Sequence, residues 1–356
     1  MQLDNLQLKM EKKIDQKFTP LKELGEFGLI NHLTKDVIIH QPNTVKGIGD
    51  DAAVLDTGTV YQVITTDLLA EGIHFNLVYT PLKHLGYKAV AVNLSDICAM
   101  NAKPKQITVA LAISSKFSVE HLNELYSGIK LACQKYGVDL IGGDTTSSLT
   151  GLTICITAIG EVEKDKVTYR NGAKNTNLLC VSGNVGAAYL GLQILERERK
   201  LFEKEGITQP DFGNYTYLIE RQLKPEPRTD IVKWLEEKNI VPTAMIDISD
   251  GLSSEILHIC KSSNTGCRIY QEKIPLHEQT ADFAEEVNMH PINAALNGGE
   301  DYELLFTVDI KHYEALLQND QIRIIGHITE QVEGTNLVLE NNEFVNLASG
   351  GWNALN

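Results

Sequence analysis

Short apolar runs rich in β-branched residues alternate along this chain with longer segments in which apolar residues recur at helical spacing. This alternation is typical of α/β proteins, in which strands form a sheet and the intervening helices cover it. The predicted strands are 61–66, 106–113, 152–159, 177–181, 243–248 and 302–308. The predicted helices are 85–100, 118–136, 185–199 and one that starts at Leu252. We therefore predict the α/β class.

The length of 356 residues suggests two domains, each large enough to bury its own core. The segment 162–176 is polar, contains the turn signal Asn171-Gly172 and precedes a new predicted strand. We therefore predict an N-terminal extension over 1–20, a first domain over 21–170 and a second domain over 171–356. The charged run 196–205 is interpreted as a solvated helix end.

The charge balance disfavours some classes of partner. With 32 basic and 47 acidic side chains the formal net charge is −15, whereas a nucleic-acid-binding surface needs clustered Lys and Arg. No apolar stretch approaches the roughly 20 residues that span a bilayer, and residues 1–17 lack the apolar core of a secretory signal. We expect a cytoplasmic protein that binds neither nucleic acid nor membrane. The six cysteines form no C-x-x-C pair, which favours reduced core thiols.

Aspartates recur where apolar strands are predicted to end. These residues are Asp50, Asp51, Asp67, Asp144, Asp247 and Asp250. Each alone can be explained as a helix cap, but strand ends are also where open α/β folds assemble ligand sites. Asp96 adds a carboxylate in a helix of small residues, where a solvated charge is not expected. Oxygen ligands without a His/Cys set favour Mg²⁺, so we predict several Mg²⁺ ions that hold a polyphosphate.

The common nucleotide-binding signatures do not occur in this sequence. It has no G-x-x-x-x-G-K-[ST], no G-x-G-x-x-G after a strand, no kinase HRD or DFG set and no G-x-S-x-G. Gly183, Gly186 and Gly191 open a predicted helix, and helix packing explains them as well as ligand binding does. The spacing of His74 from Asp67 fits a structural role as well as a functional one.

Seven motifs occur in the order seen in one enzyme family. They are GIGDDAAV (47–54), TTDLLAEGIHF (65–75), AVNLSDICAM (91–100), LIGGDTT (140–146), LKPEPR (223–228), IDISDGL (246–252) and NGGEDYELLF (297–306). By these motifs, and from GEFGLI at Gly25 to GGW at Trp352, the chain resembles the thiamine-monophosphate kinases. The resemblance implies the two-domain α/β (α+β) fold shared with aminoimidazole-ribonucleotide synthetase, whose N-terminal domain dimerises through its sheet. It further implies that ATP and thiamine monophosphate give ADP and thiamine diphosphate, the last step of thiamine diphosphate biosynthesis, with several Mg²⁺ ions.

The resemblance, carried over motif by motif, also implies three groups of site residues. The implied metal ligands are Asp51, Thr65, Thr66, Asp67, Asp96, Asp144, Asp247 and Asp250. The implied ATP contacts are Tyr126, Gly143, Asp144, Arg170 and Ser249. The implied contacts to thiamine monophosphate are His74, Glu300 and Trp352.

The acceptor in this reaction is already a phosphate, whose oxygen is nucleophilic at neutral pH. We therefore predict direct transfer, with no strong general base and no covalent nucleophile supplied by the protein. Arg170 could stabilise transition-state charge or form a structural salt bridge. Trp352 could stack on a substrate ring or anchor the C-terminal segment.

Two other interpretations compete with this one. The first is another ATP-dependent enzyme of the same fold, either a ring-closing synthetase or a selenophosphate synthetase. The selenophosphate type is disfavoured because no Cys lies in a glycine-rich N-terminal loop. The second is a non-enzymatic module that binds Mg²⁺ or Ca²⁺, but no D-x-D-x-D-G loop occurs, and this interpretation leaves His74 and Glu300 without a role.

Overall fold

A computed structural model describes residues 20–205 and 211–348 of the chain. The chain divides into two units, of which the smaller takes in residues 20–38 and the larger takes in the other described residues. The smaller unit contains one turn of 3₁₀-helix, Leu21–Glu23, followed by helix α1, Gly25–Thr34. The predicted N-terminal extension lies outside the described residues except for Pro20.

The first sheet has six strands in the order β1-β2-β3-β6-β4-β5. Strands β4 and β5 are parallel, and the other neighbouring pairs are antiparallel. The strands are β1 Thr44–Lys46, β2 Ala53–Asp56, β3 Tyr61–Ala70, β4 Lys103–Ile113, β5 Asp139–Ser147 and β6 Thr153–Val162. Two helices, α2 Leu82–Ala99 and α3 Val119–Tyr136, pack beside this sheet.

The second sheet has seven strands in the order β13-β12-β9-β11-β7-β10-β8. Its strands are β7 Leu178–Ser182, β8 Ala244–Asp247, β9 Thr265–Tyr270, β10 Leu304–Val308, β11 Ile322–Glu330, β12 Thr335–Val338 and β13 Phe344–Asn346. Its helices are α4 Ala187–Glu205, α5 Thr216–Leu223, α6 Thr229–Glu237, α7 Leu252–Ser263, α8 Glu278–Glu286, α9 Pro291–Asn297 and α10 Tyr313–Leu316. Short 3₁₀ turns occur at Gln271–Lys273, Ile310–His312 and Gln331–Glu333.

Helix α2 lies between the two sheets, which explains its small residues. Its N-terminal part packs closely on α3: a Cβ placed on Gly86 would lie 2.0 Å from the carbonyl oxygen of Leu125. At its other end, Cys98 and Ala99 belong to the same buried cluster as Met245 of β8. Since α2 carries Asp96 and β8 ends at Asp247, this packing brings the two carboxylates together.

The predicted α/β class is confirmed, and every predicted strand and helix exists, although most have at least one end shifted by one or more residues. The prediction that the aspartates follow strand ends holds for Asp247 but is wrong for Asp67 and Asp144, which lie inside β3 and β5. Alternating side-chain directions let a strand carry a polar residue toward a site without ending there. The predicted division at residue 170 stays a prediction.

Two further sequence interpretations can be compared with the structure. The run 196–205 is not all solvated helix end, because Glu196 of α4 lines a cavity. All six cysteines are unpaired, and all except Cys155 are buried. None of the described helices is long and apolar enough to cross a membrane.

Candidate active site

A cavity of about 870 Å³ lies in the larger unit. Its wall contains four of the predicted metal ligands, Asp67, Asp96, Asp247 and Asp250, together with Ser249, His74 and Glu300. The remaining wall is largely apolar and aromatic, with Phe75, Tyr79, Tyr189, Leu192 and Met289. A cavity with convergent carboxylates and aromatic surface suits a ligand that combines charged groups with flat rings.

Three carboxylates meet beside this cavity to form the acidic cluster, Asp51, Asp96 and Asp247. One ligand oxygen from each lies within 4.8 Å of the other two. The cluster draws on three separate parts of the fold, namely the bend before β2, helix α2 and the end of β8. Asp51 and Asp247 are buried, and Asp96 is partly buried.

Hydrogen bonds from neighbouring side chains orient the carboxylates of the acidic cluster. The hydroxyl of Thr65 donates to Asp96 Oδ2 at 2.6 Å, and that of Ser95 donates to Asp247 Oδ2 at 2.6 Å. Asp51 Oδ2 is buried and has no hydrogen-bond partner among the described residues. An orphaned carboxylate oxygen within an all-oxygen donor set fits a hard divalent cation such as Mg²⁺.

Electrostatics within the acidic cluster support the same conclusion. Burial, followed by the charges of Asp67, Asp247 and Asp51, raises the pKa of Asp96 well above its usual value. Burial, followed by the charge of Asp51, raises the pKa of Asp247 to about 7. Asp96 and Asp247 without a metal therefore bind their protons more tightly than an ordinary aspartate does, and a bound cation would displace these protons.

Asp67 lies on β3 next to the acidic cluster, since its charge acts on both Asp96 and Asp247. Its backbone N–H donates to Asn93 Oδ1 at 3.0 Å. Because Asn93 is on α2, this bond ties the strand that carries Asp67 to the helix that carries Asp96.

Arg170 closes the other side of the acidic cluster. Its Nη2 donates to Asp51 Oδ1 at 2.6 Å, and its backbone N–H donates to Asp50 Oδ1 at 3.0 Å. Its buried Nε has no hydrogen-bond partner among the described residues. Arg170 therefore forms a salt bridge and still has a buried donor that an anionic ligand can use, so both roles that the sequence left open remain compatible with its position.

Ser249 and Asp250 lie in the loop between β8 and α7. The backbone N–H of Asp250 donates to Glu255 Oε1 at 2.9 Å, and the carbonyl oxygen of Ser249 accepts the N–H of Glu300 at 2.7 Å. The loop is therefore held from both sides, with Ser249 and Asp250 in the cavity wall.

His74 and Glu300 line the same cavity from opposite halves of the chain. His74 Nδ1 accepts the backbone N–H of Ala70 at 3.1 Å. The neutral imidazole must therefore carry its proton on Nε2, which assigns the tautomer. Trp352, the third predicted substrate contact, lies outside the described residues.

Three predicted ATP contacts lie together in a different place. Tyr126, Gly143 and Asp144 line an open groove of about 560 Å³ beside the exposed strand β5. Backbone packing is enough to require glycine at position 143, since a Cβ there would lie 1.8 Å from the carbonyl oxygen of Val109. The structure of one chain does not bring Asp144 to the acidic cluster.

Thr66 also lies away from the acidic cluster. Adjacent residues of a strand point to opposite faces of the sheet, so Thr66 faces away from Thr65 and Asp67. Its hydroxyl donates to the carbonyl oxygen of Ile156 at 3.0 Å. Asp144 aligns across the sheet with Leu68, which points to the same face as Thr66. Thr66 and Asp144 are therefore both exposed on the face of the first sheet that the helices do not cover.

Sequence reasoning missed several residues that hold the site together. Asn93, Ser95, Lys88, Gln222 and Asp301 bond to site residues or to the backbone around them. The sequence could have identified Lys88, because like Asp96 it is a charged residue in a helix of small and apolar residues. Nothing in the sequence distinguishes Gln222 as part of the site.

The pH dependence of stability tests the acidic cluster. An aspartate has an ordinary pKa of 3.8, and that of Asp247 is about 7. Because the folded-state pKa is the higher one, the metal-free protein loses stability as pH rises through this window.

Asp247→Asn removes the ionisation and keeps an oxygen that can accept the hydrogen bond of Ser95. In EDTA, we expect the thermal midpoint of the variant minus that of the wild type to be larger at pH 8 than at pH 5. Excess Mg²⁺ should remove the advantage of the variant, and a difference independent of pH would contradict the account.

Comparison with known proteins adds independent information. A family model described as AIR synthase related protein, N-terminal domain, matches residues 49–162. A thiamine-monophosphate kinase of Bacillus subtilis is 33% identical over 340 residues, covering 93% of this chain and 99% of that protein. One of Buchnera aphidicola is 37% identical over 334 residues, covering 92% and 98%. A solved structure described as AaThiL complexed with AMPPCP and TMP has a TM-score of 0.80 at 32% identity, covering 94% of this chain and 99% of that one.

Proposed function

Since the chain belongs to the thiamine-monophosphate kinase family, we propose that it transfers the γ-phosphoryl group of ATP to thiamine monophosphate beside the acidic cluster. The products are ADP and thiamine diphosphate. The observation that carries this placement is the meeting of Asp51, Asp96 and Asp247 within 4.8 Å at a cavity that His74 and Glu300 also line.

Neighbouring side chains hold and orient the carboxylates of this site. Thr65 and Ser95 aim two carboxylates, Asn93 fixes the strand of Asp67, and Arg170 holds Asp51. Mg²⁺ bound by Asp51, Asp67, Asp96, Asp247 and Asp250 would neutralise the phosphate charge that these carboxylates alone would repel. The acceptor phosphate needs no proton removed, so no side chain has to act as a strong base. We therefore infer direct transfer between the two bound substrates.

A product assay tests this function. The purified protein is incubated with ATP, MgCl₂ and thiamine monophosphate, and thiamine diphosphate and ADP are quantified. We expect equal amounts of both products, and no ADP when thiamine monophosphate is left out. Hydrolysis of ATP without thiamine diphosphate would reject the function and favour another ATP-dependent enzyme of this fold.

Glu300 and His74 are proposed to bind the thiamine part of the acceptor. Glu300→Gln and His74→Asn are therefore expected to raise the KM for thiamine monophosphate about tenfold and the KM for ATP less than about twofold. Glu236→Gln, which changes a partly exposed residue that is paired with Lys103 and does not line the cavity, is the matched control. Equal effects on both KM values would contradict the assignment.

Two strand edges support a homodimer formed through the first sheet. Strand β2 pairs with residues 61–64 of β3, and residues 65–70 have no strand partner on that side among the described strands. Strand β5 pairs with β4 on one side, and all nine of its residues are exposed. A long unpaired edge of this kind invites pairing with another chain.

The face of the first sheet that the helices leave uncovered supports the same arrangement. Its side chains are small or of moderate size, namely Thr66, Leu68, Thr108, Ala110, Cys155 and Thr157. Strands β3, β6, β4 and β5 of two copies make eight strands, and an eight-stranded barrel has an interior that side chains just fill. We propose that β5 of one copy pairs with residues 65–70 of the other.

This dimer would account for the position of Asp144. Within one chain Asp144 aligns with Ala110, Cys155 and Leu68 on successive strands, three strand spacings or about 14 Å. In the proposed dimer it would lie beside residues 65–70 of β3 of the second copy, the segment that carries Thr66 and Asp67. Its roles as metal ligand and ATP contact then become possible in trans.

A further inference from the structure

The carboxylate of Glu300 is held on both oxygens by buried groups. Lys88 Nζ lies 3.0 Å from Glu300 Oε1, and Gln222 Nε2 donates to Glu300 Oε2 at 2.5 Å. Lys88 Nζ also donates to the carbonyl oxygen of Gln222 at 3.1 Å, so the three residues form a closed set. Each carboxylate oxygen keeps further acceptor capacity for a ligand.

The backbone of the segment that carries Glu300 is fixed independently of this set, and the N–H of Glu300 itself donates to the carbonyl oxygen of Ser249 at 2.7 Å. The N–H of Tyr302 donates to the carbonyl oxygen of Ile248 at 2.8 Å. The carboxylate of Asp301 accepts the N–H of Gly186 at 2.6 Å and that of Ala188 at 3.3 Å, which anchors the segment at the start of α4. The Cα of Glu300 is therefore placed without Lys88, and what Lys88 adds is the direction of the side chain.

The burial of Lys88 needs an explanation beyond stability. It is 2% exposed, on a helix whose other buried residues are mostly small and apolar. Desolvating an ammonium group is costly, and a buried ion pair generally stabilises a fold no better than a well-packed apolar side chain does. Its partner Glu300 stands in the cavity wall, which points to a role in presenting that carboxylate to a ligand.

We propose that Lys88 is a positioning residue for the acceptor substrate, which together with Gln222 holds the Glu300 carboxylate in one orientation toward the cavity. This inference rests on the proposed function. Asp96 lies eight residues further along the same helix, a rise of about 12 Å. One helix therefore links the orientation of the Glu300 carboxylate to the position of Asp96 in the acidic cluster.

Gln222 contributes more than a bond to Glu300. It is buried, and its Oε1 has no hydrogen-bond partner among the described residues. Because Gln222 lines the cavity, this oxygen offers an acceptor for an amino group of the ligand. The aminopyrimidine ring of thiamine carries such a group.

Steady-state kinetics of Lys88→Met tests the proposal. We expect the KM for thiamine monophosphate to rise about tenfold, while the KM for ATP stays within about twofold of the wild-type value. The control is Lys83→Met, an exposed lysine on the same helix, which should change neither. An unchanged KM for thiamine monophosphate in a folded Lys88→Met protein would overturn the proposal.

A double variant separates positioning from a purely structural role. Because Lys88 acts through Glu300, adding Lys88→Met to Glu300→Gln should change the KM for thiamine monophosphate by no more than about twofold. A double variant whose rise in the KM for thiamine monophosphate equals the product of the two single-variant rises would overturn the proposal. If Lys88→Met does not fold, Lys88→Gln provides the same test, because it removes the ammonium group and keeps a polar side chain, with an expected severalfold rise in that KM alone. A wild-type protein that makes no thiamine diphosphate would reject the proposed function instead, whatever the variants do.

Discussion

Asp67→Asn is expected to lower the turnover of thiamine monophosphate by at least about a thousandfold at saturating Mg²⁺ and substrates. Its carboxylate stands close enough to Asp96 and Asp247 to raise the pKa of both. The amide keeps the shape of the side chain but removes a negative oxygen from a set that must hold cations against phosphate. The loss should therefore appear in turnover and not in folding.

Stability should move in the opposite direction in the same variant. In EDTA, the loss of one charge relieves repulsion within the acidic cluster, so we expect the thermal midpoint to rise by about 2 °C. Asp56→Asn is the matched control, because Asp56 at the end of β2 is paired with Lys164 and does not line the cavity. That variant should retain activity and gain no stability. Near-normal turnover of Asp67→Asn would remove Asp67 from the mechanism.

Mixed dimers of Asp67→Asn and Asp144→Asn are expected to recover activity that neither variant has alone. In the proposed dimer each site combines Asp67 of one copy with Asp144 of the other. A mixed dimer then contains one site with both residues intact, and random exchange of equal amounts should restore about one quarter of wild-type activity. Dimers of either variant alone should stay inactive.

The complementation experiment also decides between two placements of Asp144. If Asp144 acts within its own chain, every site of a mixed dimer carries one substitution and the mixture stays inactive. That result would contradict the pairing of β5 with residues 65–70 of a second copy. Subunit exchange is verified by separating differently tagged copies.

The aspartate pattern predicted much of the acidic cluster because it rests on local chemistry. Asp96 is recognisable as a charged residue in a helix of small residues. The structure shows why the residues of this helix are small, because α2 lies between the two sheets. Lys88 is also a charged residue among small and apolar residues of the same helix, so the sequence alone marks it as a candidate site residue in the same way. Its partner could not be predicted, because Glu300 lies 212 positions away and meets it only through the packing of both halves.

Other features depend on pairing that a single sequence does not specify. In NGGEDYEL the acidic residues look equivalent, but Glu300 lines the cavity while Asp301 accepts two backbone N–H groups at the start of α4. Glu303 is buried between Arg221 and Arg228. Likewise, Asp144 follows the same strand-and-glycine pattern as the other aspartates, yet the strand order puts it at an exposed edge.

The stereochemical course at phosphorus tests the central claim of direct transfer between ATP and thiamine monophosphate at this site. ATP made chiral at its γ-phosphorus with oxygen isotopes is turned over with thiamine monophosphate, and the configuration of the terminal phosphate of thiamine diphosphate is determined. One in-line displacement inverts the configuration, and that is the result we predict. Retention would require two displacements through a phosphorylated side chain and would contradict the account.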